Sequence, residues 1–248
     1  MRKQALLLAL LGGILAGCGS GAAEDTEPND GNGNTVEIQE DRQNTEDMDG
    51  KDTDKRQNGA AAAGSVEVTP GENGGPSTIA GIPIVNKKYG VSPDYAPGED
   101  PTAAAAARQL IAAMQAEGLD VSDSWSGFRS YEYQSELYNG YVASSGQEAA
   151  DTFSARPGFS EHQTGLAFDL KHSSGALLEN PAEAQWLLDH AQEYGFIVRY
   201  QEGWEPVTGY MAEPWHIRYI GELAPEIQAR NIPLETYLGA EGGGYAGE

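Results

Sequence analysis

Between Gly19 and Thr78 this 248-residue chain has no hydrophobic period, and that gap fixes how much of it can build a core. The stretch is Gly, Asn, Asp, Glu, Thr and Ala with scattered Val and Ile, and it carries 14 acidic and 4 basic side chains. Such a composition cannot bury enough apolar surface to offset ordering entropy, and its like charges extend it. Residues 19–78 therefore read as a disordered acidic tether. Residues 79–240 remain, the length of one domain with a substantial core. The glycine-rich residues 241–248 read as a loose tail.

The first 18 residues have a different character. Arg2 and Lys3 are basic, the run from Ala5 to Leu15 is apolar, and Leu15-Ala16-Gly17-Cys18 follows. The run is too short for a bilayer, which needs about 20 residues, and it fits the apolar part of a secretory signal. It resembles a bacterial lipoprotein signal, which implies that Cys18 is the lipidated first residue of the mature protein. Cys18 is the sole cysteine, so no internal disulfide can form. The expected location is extracytoplasmic, lipid-anchored to the bacterial membrane rather than spanning it.

The formal net charge is −23, and about −15 of it falls on the residues outside the signal and tether. That excludes nucleic acid as a partner, since nucleic acid wants a basic face.

Within the domain, Asp100-Pro101-Thr102 opens a helix with a cap residue and proline at the first position. Ala104, Ala107, Leu110, Ile111 and Met114 recur at helical spacing until Gly118. Residues 120–126 have strand character. Ser130 caps a second helix bearing Tyr133, Leu137, Tyr138 and Tyr141. Leu166 to Leu170 alternates, with Phe168 on one face and Ala167 and Asp169 on the other. Asn180-Pro181-Ala182-Glu183 reads as a capping box opening a helix that Gly195 stops. Phe196 to Tyr200 and Trp215 to Ile220 read as strands, and two short helices close the domain.

Two short stretches bear the chemistry. Ser160-Glu161-His162 through Asp169, and Glu213-Pro214-Trp215-His216, each place an imidazole near a carboxylate. His162, Asp169 and His216 offer two nitrogens and one oxygen to a metal, with a fourth position open, which is the composition of a catalytic zinc site. Glu213 is left over as a base. The alternative is plain: Asp169 pairs with an arginine and His162 is a surface histidine. Asp169 on the small-residue face of a buried strand needs a partner in either case. Arg129, at a strand-to-helix junction, carries a planar fork suited to a carboxylate or peptide carbonyl. His172 and His190 stay outside the ligand set.

The pattern Ser160-x-His162-x-x-Gly165-x-Ala167-x-Asp169, then Glu213-x-x-His216, preceded by Ser126-Gly127-Phe128-Arg129-Ser130 and Gln134, resembles the VanY-type D-alanyl-D-alanine carboxypeptidases. These are zinc peptidases of bacterial cell walls, grouped by their metal site with lysostaphin and the hedgehog signalling domain. The resemblance implies an α+β fold, with helices packed on a small, mostly antiparallel sheet. It implies Zn2+ on His162, Asp169 and His216, Glu213 as general base and then acid, and Arg129 on the scissile carbonyl. It places Gln134, Ser160 and Tyr210 against the peptidoglycan stem peptide. The expected reaction is release of the C-terminal D-Ala by cleavage of D-Ala-D-Ala. Two other readings share these residues: an L,D-carboxypeptidase acting on tetrapeptide stems, and a non-catalytic zinc-stabilised cell-wall-binding lipoprotein.

Overall fold

The computed structural model describes residues 66–247. The signal, Cys18 and most of the acidic tether lie outside them. Strands β1 (Val68–Thr69), β2 (Ser77–Ile79) and β3 (Ile82–Ile84) form a three-stranded antiparallel sheet. Strands β4 (Trp125–Ser126), β5 (Ala167–Leu170), β6 (Phe196–Tyr200) and β7 (Glu213–Tyr219) form a second antiparallel sheet, in the order β4-β5-β7-β6. Helices α1 (Pro101–Ala116), α2 (Tyr131–Ser145), α3 (Gln147–Phe153), α4 (Pro181–His190), α5 (Glu205–Thr208), α6 (Ala224–Arg230) and α7 (Leu234–Leu238) surround them. This is the α+β architecture expected.

The four-stranded sheet separates two environments. On one face, Phe168, Leu170, Phe196, Val198 and Ile217 join Ala107, Leu110, Ile111 and Met114 of α1 and Trp186 and Leu187 of α4 in one buried cluster. Burying such a side chain contributes about 1.5–3 kcal/mol. The other face carries Asp169 and His216, directly opposite one another on β5 and β7. Further along that face, Ile197 joins a smaller cluster with Ile79, Ile84, Ile227, Leu234 and Leu238. Period-two alternation thus sends the apolar residues of β5 to the core and Asp169 away from it.

Local sequence chemistry explains the helix starts. Asp100 accepts from the backbone N–H groups of Thr102 and Ala103, with Pro101 at the first helical position. Ser130 accepts from Tyr133 N at the head of α2. The capping box at α4 is corrected: Asn180 makes no side-chain cap bond, and Glu183 accepts instead from Asp120 N, 3.3 Å away.

Two boundaries are also corrected. The tether does not run to residue 78, because Val68 and Thr69 pair with Ile79 and Thr78, and Val68 packs on the smaller cluster. Strands of two and three residues are too short to show alternation, so composition alone hid them. The tail is not loose either. Gly243 N donates to Val207 O at 2.7 Å, and Tyr245 is buried, its ring edge-on to Phe159 at 5.4 Å. One aromatic anchor orders a segment whose glycines suggest none.

Gly165 closes the 3-10 turn Glu161–Thr164 at φ +74°, and a Cβ there would stand 2.1 Å from Gly98 O. Both the left-handed backbone and the contact require glycine. Gly165→Ala should destabilise the domain by about 1–2 kcal/mol or more, read as a lower midpoint of thermal unfolding. An unchanged midpoint would show that the loop at Gly98 yields freely.

Candidate active site

The turn Glu161–Thr164 presents His162, β5 presents Asp169 and β7 presents Glu213 and His216. Strand register brings Ser126, Asp169 and His216 into one row across three strands. His162 Nε2 lies 3.2 Å from Asp169 Oδ2, and His216 Nδ1 lies 3.2 Å from Asp169 Oδ1. The two imidazole centroids are 4.9 Å apart.

Glu213 needs a separate explanation. A regular strand would turn it to the face opposite His216, three residues on. The pairing of β6 with β7 shifts register between Val198 and Tyr200, so that Tyr200 opposes Glu213. The irregularity re-aims side chains, as such features do beside active sites. Glu213 Oε2 therefore sits 3.4 Å from His216 Nδ1, and the Tyr200 ring centroid lies 4.8 Å from that of His216.

The environment sorts the charges. Burial, with the Arg129 guanidinium beside it, pushes His162 below its ordinary pKa and keeps it a neutral ligand. Burial pushes the Glu213 carboxyl above the usual carboxylate range, against the hydrogen bond to His216. Burial opposes ionisation of Asp169 as well, but His162 and His216 outweigh it and hold Asp169 well below that range.

Whether zinc fits is tested by the donors themselves. The three ligand atoms lie within 4.8 Å of one another and all three residues are buried. Zinc bonds of about 2.0–2.2 Å in a tetrahedron set ligands ~3.3–3.6 Å apart, close to the 3.2 Å from each imidazole to its nearer Asp169 oxygen, Oδ2 for His162 and Oδ1 for His216. Asp169 Oδ1 is buried and accepts no hydrogen bond, an orphan acceptor of the kind that marks an ion site. His162 Nδ1 is engaged by Gly127 O at 2.8 Å, leaving Nε2 for the ion. The set fits. The same atoms already attract a cation, since Arg129 Nη2 donates to Asp169 Oδ2 and lies 3.0 Å from His162 Nε2.

A cleft of about 450 Å3 opens over these residues. Arg129, Ser160, Tyr210, Trp215 and Tyr200 line it, and the half-exposed Tyr133 and Met211 form part of its rim. Ser160 Oγ caps the turn by accepting from His162 N at 3.3 Å. Tyr210 is buried beneath Lys87, whose Nζ lies 4.4 Å from the ring centroid. Gln134 departs from expectation. It is 1% exposed, does not line the cleft, donates to Ala155 O at 2.8 Å and accepts from Arg129 Nη1 at 3.3 Å. Its amide is used inside the protein, so it holds Arg129 rather than a ligand. His172 bonds Asp120 O and His190 pairs with Glu193, both away from the cluster.

The sequence reading passed over Glu161 and its arginines. Glu161 accepts from Arg199 Nε at 2.9 Å and Arg218 Nη1 at 2.7 Å, and Arg199 also pairs with Glu235. Arg199 is fully buried.

The VanY D-alanyl-D-alanine carboxypeptidase family matches residues 98–222, which contain Arg129, Glu161, His162, Asp169, Glu213 and His216. The chain belongs to the VanY family. YodJ of Bacillus subtilis (strain 168), a carboxypeptidase by name, is 34% identical over 182 residues, 63% of this chain and 66% of YodJ. The chain spans between 35% and 66% of the lengths of the curated VanY relatives it matches. Among solved structures, the L,D-carboxypeptidase DacB from Streptococcus pneumoniae is 54% identical with a TM-score of 0.70. That likeness covers 73% of this chain and all of the DacB chain. A VanY D,D-pentapeptidase variant from a VanB-type vancomycin resistance cassette, solved in complex with Zn(II), is 29% identical with a TM-score of 0.50, covering 70% of this chain and 89% of that one.

Proposed function

We propose that this VanY-family protein is a zinc carboxypeptidase that removes the C-terminal D-alanine of peptidoglycan stem peptides, with tetrapeptide stems as its substrate. Two imidazoles, a carboxylate, a spare acid and an arginine converge at the floor of one open cleft, and that convergence carries the reading. The choice of L,D- over the expected D,D-cleavage rests on the 54% identity to DacB against 29% to the D,D-pentapeptidase.

Zinc held by His162, Asp169 and His216 would supply Lewis acidity, polarising a carbonyl and lowering the pKa of bound water toward about 7. Glu213, whose Oε2 lies 3.4 Å from His216 Nδ1, would take a proton from the attacking water and return it to the leaving amine. Arg129 is braced by Ser126 and Gln134, with its Nη2 on Asp169 and His162; it would turn that arm to the oxygen that becomes negative in the transition state.

Arg129→Lys keeps a cation but loses the braced fork. It should lower kcat/KM by about 10²–10³, measured on a synthetic stem peptide. A near wild-type rate would remove Arg129 from the reaction.

The specificity is read by digesting tetrapeptide and pentapeptide muropeptides with the purified protein and weighing the products. Loss of one alanine from the tetrapeptide is the expected result. Loss from the pentapeptide alone would return the assignment to D,D-cleavage, and no product from either would leave the binding reading. The cellular setting is part of the same proposal: a lipid on Cys18 and the acidic tether hold the domain outside the membrane. The mass of the mature N-terminal peptide tests it, since an unmodified cysteine there excludes the anchor.

A further inference from the structure

We infer that Glu161 is a positioning residue that fixes the imidazole of His216 for metal binding, an inference that rests on the zinc site proposed above. Glu161 opens the turn Glu161–Thr164, next in sequence to His162, and is 2% exposed. Its Oε2 lies 3.4 Å from His216 Nε2. The other nitrogen, Nδ1, is the one that faces Asp169 and Glu213. The ring therefore stands between Glu161 and the metal-binding atoms. Both ring nitrogens face carboxylates, which only accept, but Asp169 is itself one of the three converging ligands. With an ion between them Nδ1 needs its lone pair, and the ring proton then sits at Nε2 on Glu161.

The carboxylate cannot swing away. Arg199 Nε and Arg218 Nη1 both donate to its Oε1, and both arginines are fully buried. Arg199 is held in turn by Glu235, and Arg218 Nη2 by Pro83 O at 2.7 Å. The two imidazoles are thus oriented differently: His162 by the Gly127 carbonyl, and His216 by a side chain on the same turn as His162. One turn supplies a ligand and sets the tautomer of the second ligand from the neighbouring strand.

Glu161→Gln keeps the shape but can present an N–H to His216 Nε2, which moves the imidazole proton to Nδ1 and blocks the ligand position. Zinc affinity should fall about 10–100-fold, measured on the full chain by competition with a chromophoric chelator. The visible bands of the Co2+-loaded protein should shift as well, because the His216 bond changes. Glu235→Gln disturbs the same buried ion network without touching His216, and it should bind zinc as wild type does. Glu161→Asp keeps the charge that the arginines need and draws the carboxylate back; it should fold, and it should also bind zinc more weakly. Wild-type zinc affinity and Co2+ bands in both Glu161 variants would overturn the inference. So would an equal loss in Glu235→Gln, which would show a general loosening. If the wild-type protein itself binds no zinc, the site reading fails first and takes this inference with it.

Discussion

Glu213→Ala is expected to lower the rate of D-alanine release by about 10²–10⁴ while zinc stays bound. The size follows from what the side chain does. It is not one of the three converging ligands, so its removal leaves His162, Asp169 and His216 in place. It is the acid whose burial raises its pKa above the ordinary carboxylate range, toward the value that suits proton exchange near neutrality. The measurement is kcat on the tetrapeptide stem, paired with metal content of the same preparation. A rate within a few fold of wild type would falsify the assignment of Glu213 as base. Loss of zinc together with activity would instead make Glu213 a ligand.

The largest effect on stability is expected from Arg199→Met. Arg199 is fully buried and pairs with Glu161 through Nε and with Glu235 through Nη1 and Nη2. Removing it leaves two buried carboxylates with Arg218 and His216 on Glu161 and Asn86 on Glu235. Breaking a buried pair in this way costs about 3–5 kcal/mol. For a domain of this size that lowers the thermal midpoint by roughly 10 °C. Both proteins should be measured with chelator, so that bound metal does not contribute. A shift corresponding to under about 1 kcal/mol would show that water or neighbouring donors reach the carboxylates.

The same network sets the response to acid. Burial opposes ionisation of Glu161, but Arg199 and Arg218 outweigh it and hold the carboxyl far below its ordinary range. A lowered folded-state pKa contributes stability above the unfolded value, near 4.3, and loses it as pH falls further. The gap between wild type and Arg199→Met should therefore narrow below about pH 4.

How much of this was legible depended on range. The cluster of His162, Asp169 and His216 was readable because its constraints are local: Asp169 sits on the small face of an alternating strand, and His216 lies three residues from an acid. Helix starts at Asp100 and Ser130 were readable for the same reason, since caps act over three residues. Glu161 was not. Beside His162 it looks like any surface acid, and only the fold brings Arg199, Arg218 and Glu235 to it from positions 38 to 74 residues away. Gln134 misled because a motif position says that a residue matters without saying what it touches. The shift between Val198 and Tyr200 was invisible because nothing in β6 or β7 departs from strand composition.

The division of the four-stranded sheet into a core face and a ligand face has an evolutionary consequence. Along β5, codons answer to different pressures: those for Phe168 and Leu170 govern robustness, that for Asp169 on the opposite face governs chemistry. Drift in one set can proceed without disturbing the other, so related enzymes can acquire heat tolerance and altered turnover along separate paths. A single-codon insertion or deletion within β5 would exchange the two sets at once, which leaves point substitution as the route by which this strand can change.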